Sequence, residues 1–257
     1  YILSMLGFAA GGIVIVYILF NGIPNISASL FELNYTSENV SIIPALITTF
    51  FSILITLIVT LPVGIFTAIY LSQYAKNKVL IKTVRFATEI LSSIPSIVYG
   101  LFGYLFFVDA LHMGYSLISG CLTVAIMILP TIIRTTEEAI LNVNPLQAHA
   151  SLALGATKIQ TIFKIVIPEA INGILGGIFL STGRIVGESA ALIYTMGTVA
   201  KTPTSIFDSA RTMAVHMYVL STEGFHVKEA YATAVLLLVF VIILNFVSAR
   251  ISKAIVK

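Results

Sequence analysis

The residues that could do chemistry in this chain are concentrated in one stretch, STGRIVGESAALIYT, residues 181–195. It places Arg184 and Glu188 four residues apart, one helical turn, among apolar residues. A charge facing lipid at the bilayer centre costs at least about 2.5–3.5 kcal/mol, so both side chains should face other helices or a polar path. Arginine binds an oxyanion through paired charge-assisted hydrogen bonds, and a carboxylate can accept one from a protonated oxyanion. The stretch therefore predicts an anion path, with a structural i,i+4 ion pair as the alternative.

The same stretch predicts one small, polar helix face. At about 100° per residue, seven positions fall within an arc of roughly 80°: Gly173, Gly177, Ser181, Arg184, Glu188, Ala191 and Thr195. Glycines at spacings of four allow a neighbouring helix to come close. Ser181 is therefore a candidate path residue together with Arg184 and Glu188.

Other charged pairs repeat this spacing nearer the ends of predicted helices. Arg85/Glu89 and Arg134/Glu138 are each four residues apart, and an ordinary ion pair is the favoured interpretation for both acids. Arg134 is also a secondary path candidate, with a side chain that reaches the membrane surface as the alternative. Ser96 is a further candidate, and a packed, kinked helix is the simpler account of its surroundings.

The composition predicts that these residues lie in a membrane protein. Of the 257 residues, 58% are hydrophobic and 10% are charged, against about 25% charged in soluble domains. Spans of about 20 apolar residues cross a bilayer as helices. We therefore expect an all-α polytopic protein with six transmembrane helices, at 2–22, 42–74, 79–108 (broken near Pro95), 116–136, 168–195 and 229–251.

The chain is predicted to form one membrane domain with a peripheral addition. Residues 1–41 would hold the N-terminal transmembrane helix and an external loop, and residues 42–257 a core of five transmembrane helices. Ten lysines and arginines flank the predicted helices on one side and three on the other. The positive-inside rule then places both termini and the 75–82 and 137–167 loops in the cytoplasm of a cell-membrane protein.

The 144–167 segment is predicted to be a helical hairpin. Asn144 and Pro145 form a helix start, Gly155 allows a turn with positive φ, and Thr157 with Gln160 matches a capping box. An apolar stripe follows at i, i+3, i+4 and i+7, namely Ile159, Ile162, Phe163 and Val166. Pro168 would begin the next membrane helix. The hairpin is either a connector on the bilayer surface or a helix presented to a cytoplasmic partner.

The hairpin resembles the cytoplasmic loop of binding-protein-dependent ABC importer permeases. Gly155 is followed after nine residues by Ile165-Val166-Ile167-Pro168, while the Glu-Ala-Ala that the family carries ahead of the glycine is His149-Ala150-Ser151 here. Four stretches resemble the PstA-type phosphate permeases: SIPSIVYGLFGYLFF (93–107), LPTIIRTTEEAI (129–140), LALGATKIQTI (152–162) and GRIVGESAALIYT (183–195). The resemblance covers roughly residues 45–250.

The resemblance implies a type I ABC importer permease (MetI-like) fold and a set of partners. These are a PstC-like permease subunit, two ATP-binding subunits and an extracytoplasmic phosphate-binding protein, with Arg184 and Glu188 on the phosphate path. The residues expected to contact the ATPase are His149, Ala150, Gly155, Ala156, Thr157, Ile159, Ile162, Phe163 and Pro168. A PstC-like subunit, a permease for sulfate or molybdate, and a secondary transporter or channel are the alternatives.

Several activities are not expected of this chain. None of its 17 glycines precedes a lysine, so it has no Walker A loop. Its four histidines are scattered, and its single cysteine, Cys121, has no partner for an intrachain disulfide. We therefore expect neither enzyme activity, a metal site nor nucleic-acid binding, and we expect ATP and Mg²⁺ to be held by the partner ATPase.

Overall fold

A computed structural model describes the backbone of residues 2–255 and the side chains of residues 7, 9–250, 252 and 254. Every regular element within 2–255 is helical, which confirms the all-α prediction. Among the bases used to predict orientation, the Lys253 side chain and all of Lys257 lie outside the described residues.

The helices follow one another closely along the chain. They are α1 (Ile2–Gly22), α2 (Ile43–Ile69), α3 (Lys78–Ser93), α4 (Ser96–Gly103), α5 (Leu117–Leu141), α6 (Pro145–Ala153), α7 (Lys158–Thr161), α8 (Ile167–Gly187), α9 (Ala190–Thr195), α10 (Met213–Glu223) and α11 (Val227–Ile255). Wider π-helical turns extend α2 through Tyr70–Tyr74 and α4 through Tyr104–Ala110, and Ile162–Val166 joins α7 to α8. Short 3-10 turns occupy Ile23–Asn25 and Ala28–Phe31.

Four helices in the described part of the chain are long and apolar enough to cross a membrane: Ile43–Tyr74, Leu117–Leu141, Lys158–Gly187 and Val227–Arg250. The helix α3 and the helix formed by α4 with its π-helical continuation would make a fifth spanning segment if together they cross the membrane once. The 21-residue α1 is uncharged, and at 1.5 Å per residue it is about as long as the hydrocarbon core is thick, roughly 30 Å.

The third predicted span is not a straight helix. Lys78–Ser93 and Ser96–Ala110 meet at an angle of 99°, because proline lacks an N–H and disfavours helical geometry in the residue before it. Ile94 and Pro95 accordingly have extended ψ angles of 131° and 142°. All of α3 is described and none of its residues is buried, so α3 lies on the outside of the bundle.

The fifth predicted span, 168–195, is wrong at both ends. The helix begins at Lys158 and runs through Pro168 without interruption, because the wider π-helical turn at Ile162–Val166, directly before Pro168, accommodates the proline ring and its missing N–H. It ends at Gly187, and Glu188 is extended with ψ 127°. A separate short helix, α9, then begins at Ala190.

The core of the fold surrounds α5. This helix packs against α2 and α8 most extensively, and also against α3, α4 and α9. Its fully buried Met127 and Ile128 belong to one apolar cluster with Ile185 and Val186 of α8 and Leu192 of α9. The helix α1 instead packs against α11.

The connecting segments gather at two ends of the bundle. We call the end formed by residues 142–157 the hairpin end. At the opposite end, the Ser116 N–H donates to the Thr195 carbonyl at 3.2 Å and the Leu117 N–H to the Asp208 carbonyl at 2.9 Å. Residues 23–42 join this opposite end, because Tyr35 packs its ring 6.0 Å from the ring of His216.

Candidate functional site

The helix break between α8 and α9 separates the two charges that the sequence placed on one helix. Glu188 is 8% exposed, and its Oε1 accepts a hydrogen bond from the Ala191 N–H at 3.0 Å. This carboxylate therefore caps the first turn of α9. The ion pairs among the described residues do not include one between Arg184 and Glu188, so the i,i+4 pair proposed as the alternative does not form.

Arg184 remains a half-buried guanidinium at the C-terminal turn of α8. A cation at this end of a helix is stabilised by the last carbonyl groups, which have no partners within the helix. Its charge acts on Tyr99 of α4, whose hydroxyl donates to the Leu91 carbonyl at 2.6 Å. Arg184 thus lies where α4 and the break after α8 come together, with its hydrogen-bonding groups available to a ligand.

The small face predicted on α8 packs against α5. A Cβ atom built on Gly177 would lie 2.0 Å from the Thr135 hydroxyl oxygen, and one on Gly173 would lie 2.5 Å from the Ala139 side chain. The predicted close approach of a second helix is therefore confirmed. Ser181 on the same helix is completely buried, so it does not line an open path in this structure.

A second group of charges lies between α3 and α5. Arg85 donates from Nε and Nη2 to Oε1 of Glu137, at 3.0 and 2.6 Å. The expected pairing of Arg85 with Glu89 is wrong, because α3 packs on α5 and brings the arginine to an acid 52 residues away. The predicted pair of Arg134 with Glu138 is confirmed at 3.0 Å, and both side chains are well exposed.

These charges line a cavity of about 320 Å³, formed by Arg85, Thr88, Glu89, Arg134, Glu137, Glu138 and Leu141. Two arginines against three glutamates leave one excess negative charge. The lining includes neither Arg184 nor Glu188, so the structure separates Arg134 from the other path candidates. Ser96 begins α4, where it is half-buried, and it is not part of this lining either. Sequence spacing missed Glu137, whose partner is on another helix.

The hairpin forms with the predicted caps. The Asn144 side chain accepts from the Leu146 N–H at 3.0 Å, and Gly155 has a φ of 86°. Thr157 and Gln160 make both hydrogen bonds of a capping box. Hydroxyl groups of Ser151 and Thr161 join α6 to α7 at 3.0 Å.

Two residues of the apolar stripe of the hairpin face the bundle, and the other two face the solution. Ile162 and Val166 are buried at 1% and 3% exposure in a cluster with Ile140, whereas Ile159 and Phe163 are 62% and 52% exposed. Ile162 therefore stabilises the hairpin from inside, and its expected contact with a partner is not available in this structure. The remaining candidates are exposed or, for Ala156, half-buried: His149, Ala150, Gly155, Ala156, Thr157 and Pro168.

Sequence reasoning missed the most exposed apolar residues of the hairpin. Leu154 is 90% exposed and Leu146 is 70% exposed. The hairpin is held against the rest of the bundle by Lys158, which donates to the Gln73 carbonyl and lies 4.4 Å over the Tyr74 ring. It therefore presents an apolar surface from a fixed position at the end of α2.

Comparison with known proteins identifies the class of this chain. Residues 60–257 match the family described as the binding-protein-dependent transport system inner membrane component. The chain belongs to this family, whose members are membrane subunits of ABC importers, and the resemblance noted in the hairpin is confirmed.

The chain is similar to several permeases over most of its length. It is 33% identical to the probable ABC transporter permease protein YqgI of Bacillus subtilis, over 94% of this chain and 88% of that protein. It is 31% identical to the phosphate transport system permease protein PstA of Haemophilus influenzae, over 87% and 80% of the two chains. A PstA homolog of Mycoplasma pneumoniae is 34% identical over 80% of this chain but only 33% of its own length.

The fold agrees with that of a solved importer. A chain of the MetNI methionine ABC transporter, in an inward-facing conformation, matches 84% of this chain and 94% of its own length with a TM-score of 0.64 and 24% identity. The MetI-like permease fold predicted from the sequence is therefore confirmed.

Proposed function

We propose that this chain is the PstA-like permease subunit of an ATP-driven phosphate importer. The observation that carries the substrate assignment is its similarity, at 31–34% identity, to permeases named for phosphate transport. The half-buried Arg184 beside a helix break supplies the matching chemistry, since a guanidinium binds phosphate oxygens through paired hydrogen bonds.

Phosphate recognition would combine Arg184 with Glu188. Phosphate near neutral pH still carries a P–OH group, which donates a hydrogen bond to a carboxylate, whereas sulfate has no such proton. Glu188 already accepts one bond from Ala191, and a carboxylate has about four acceptor positions in all. One or two kcal/mol of difference between the anions would discriminate them about fivefold to thirtyfold.

The remaining path candidates would act in other states of the path. Arg134 is engaged with Glu138 in a cavity whose charges nearly balance. Opening that pair would free its guanidinium for a passing anion. Ser181 and Ser96 would reach the anion only after α8 and α4 shift.

The proposed assembly follows from the family. This chain would form half of the path with a PstC-like subunit, and an extracytoplasmic phosphate-binding protein would dock at the opposite end. Both termini and the hairpin end would be cytoplasmic. Two ATP-binding subunits, holding ATP and Mg²⁺, would contact the hairpins, and their closure would move α7 and the continuous helix behind it.

Uptake of labelled phosphate by the assembled importer tests the substrate and the path together. Arg184→Gln should reduce uptake at least tenfold, while Arg250→Gln, which removes an exposed arginine near the end of α11, should leave it unchanged. Arsenate should inhibit wild-type uptake and sulfate should not. Full uptake by a correctly assembled Arg184→Gln importer would refute the role of Arg184, and inhibition by sulfate alone would refute phosphate as the substrate.

Co-purification tests the hairpin as the ATPase contact. Leu154→Asp places a charge on the most exposed apolar residue of the hairpin and should release the ATP-binding subunits. Leu33→Asp is the matched control, since Leu33 is 76% exposed at the opposite end. Equal recovery of ATP-binding subunits with both variants would contradict the assignment.

A further inference from the structure

We propose that Arg211 and His216 form a second anion-binding site, at the opposite end of the bundle, which the segment 27–41 closes in this structure. The ligand is a small inorganic anion, either an oxyanion or a halide. The site is formed by residues other than Arg184 and Glu188, and it does not depend on phosphate being the transported substrate.

The first observation is that the guanidinium of Arg211 is buried without hydrogen-bond acceptors, which a buried guanidinium needs. It is 5% exposed, and among the described residues no acceptor lies within hydrogen-bonding distance of its buried Nε and Nη2. Its planar group lies 4.6 Å over the Tyr35 ring, which offers a cation–π contact but no lone pair in the plane of the N–H groups. Buried charges are otherwise paired in proteins, so these unpartnered donors indicate a site for an anionic ligand.

Asp208, three residues before Arg211, and Glu32, in the covering segment 27–41, do not supply an anionic partner. Asp208 accepts from the Thr204 hydroxyl and from the Thr204 and Ser205 N–H groups, each at 2.8 Å. Glu32 accepts from the Asn39 side chain at 2.7 Å. Both acids are therefore engaged elsewhere, and the cation of Arg211 is left for a ligand.

The second observation concerns His216, which belongs to the first turn of α10 and lies beside Arg211. It is completely buried. The backbone of Val40, in the covering segment, lies beside the ring, but neither ring nitrogen completes a hydrogen bond of good geometry among the described residues. Burial, and then the charge of Arg211, lower the pKa of His216 to about 3. The ring is thus neutral near pH 7, and it can donate one N–H to an anion without adding a second charge.

The backbone of α10 adds to the positive character of the site. The helix is 11 residues long and starts at Thr212–Met213, directly after Arg211. A helix N-terminus carries a partial positive charge and attracts anions. Two different buried side chains and a helix start therefore present donors in one place.

The cover over the site is the segment that carries Tyr35 and Val40. Val40 is 1% exposed and has a φ of 48°, a value that a β-branched residue adopts only under strain. Hydrogen bonds from Asn39 to Glu32 and to the Asn34 carbonyl hold the segment in this shape. Release of the strained segment would expose Arg211 and His216 together to the solution at this end.

Thermal unfolding of the purified importer complex tests the site directly. Arg184→Gln serves as the parent, so that anion binding at the other site is removed, and phosphate, sulfate or chloride is titrated in turn. We expect at least one of these anions to raise the midpoint by about 5 °C at saturation. Adding Arg211→Gln should abolish the rise and Arg211→Lys should keep part of it, whereas adding Arg250→Gln should have no effect.

The pattern across the three anions distinguishes the ligands. A rise with chloride alone defines a halide site, and a rise with phosphate or sulfate defines an oxyanion site. The same rise in the Arg211→Gln and parent proteins, or no rise with any of the three anions, overturns the proposal.

Chemical modification of His216 covers the case in which Arg211→Gln fails to assemble. Tyr35→Ala should uncover the site and speed reaction of His216 with diethyl pyrocarbonate, as followed by mass spectrometry. The anion that stabilises the complex should slow that reaction again, at least threefold. Modification at the same rate with and without each anion would overturn the proposal.

Discussion

Arg85 of α3 and Glu137 of α5 form a forked ion pair in which Nε and Nη2 both donate to the same carboxylate oxygen, at 3.0 and 2.6 Å. The arginine side chain is 53% exposed and the glutamate 7%. This contact fixes α3, which has no buried residue of its own, to the central helix of the bundle. It also closes one side of the charged cavity around Arg134.

The Arg85–Glu137 pair should stabilise the fold measurably. Arg85→Met leaves the buried Glu137 carboxylate without its donors, which should lower the free energy of unfolding by about 1–3 kcal/mol. Adding Glu137→Gln should recover part of that loss, because the buried charge is gone. Denaturant unfolding in detergent, as a double-mutant cycle, measures both effects.

The exposed pair on the same helix is the control for this cycle. Arg134 and Glu138 are 67% and 60% exposed, and such exposed i,i+4 pairs contribute little to stability because solvent screens the two charges. Arg134→Met should therefore change the unfolding free energy far less than Arg85→Met. Equal effects at the two arginines would show that the forked pair has no special role.

Two substitutions should distinguish the helix-capping role of the Glu188 side chain from any role of its negative charge. Glu188→Ala removes the acceptor for the Ala191 N–H and should destabilise the protein by about 0.5–2 kcal/mol. Glu188→Gln keeps an oxygen in the same place and should remain close to wild type in unfolding. If phosphate uptake nevertheless falls in Glu188→Gln, the charge itself acts on the anion; unchanged uptake would leave Glu188 with the cap alone.

The docking of α1 should depend on Gly22. A Cβ atom at this position would lie 2.4 Å from the Tyr231 carbonyl oxygen and 2.5 Å from the Val235 side chain, and backbone cannot move aside as a side chain can. Gly22→Ala should therefore push α1 away from α11 and cost about 1–3 kcal/mol. Cross-linking between Tyr17 and Tyr231, whose rings are 5.9 Å apart, should fall.

A second glycine on α1 provides the comparison for Gly22. Gly12 has nothing within 4 Å of an added Cβ, so Gly12→Ala should leave the cross-link intact. Helix propensity alone would favour alanine over glycine at both positions by about 1 kcal/mol. Loss of the cross-link in both variants would contradict the packing explanation.

Because His216 is buried, we expect the free energy of unfolding to depend on pH between about pH 6.5 and about pH 3. An unfolded chain binds a proton at His216 below about pH 6.5, whereas the folded protein does so only near pH 3. Between these values the unfolded state holds more protons, so the free energy of unfolding falls as the pH is lowered, by up to about 1.4 kcal/mol per pH unit. Unfolding measured from pH 6.5 to pH 4.5 should show this slope.

Comparison with a variant isolates the histidine. His216→Leu should have a shallower slope over the same window, because the proton-binding group is absent from both states. The engaged carboxylate of Asp208, whose pKa is lowered by its Thr204 and Ser205 donors, acts only below this window. Equal slopes for the two proteins would show that another group is responsible.

The sequence determined the features that depend on neighbouring residues. Asn144 with Pro145, Gly155, and Thr157 with Gln160 define the hairpin because caps and turns are formed by residues within a few positions of one another. The apolar lengths likewise predicted the four helices that are long and apolar enough to cross a membrane, and Pro95 predicted the break between α3 and α4.

Only the tertiary structure decided which charges meet and which apolar residues remain exposed. Helical spacing offers Arg85 the acid at position 89, but packing of α3 on α5 brings Glu137 closer. The pattern of the hairpin does not distinguish Ile162 from Ile159, which face the bundle and the solution respectively. The burial of Arg211 is likewise decided by segment 27–41, which is distant in sequence. These contacts depend on the relative placement of whole helices, and local residue spacing does not encode that placement.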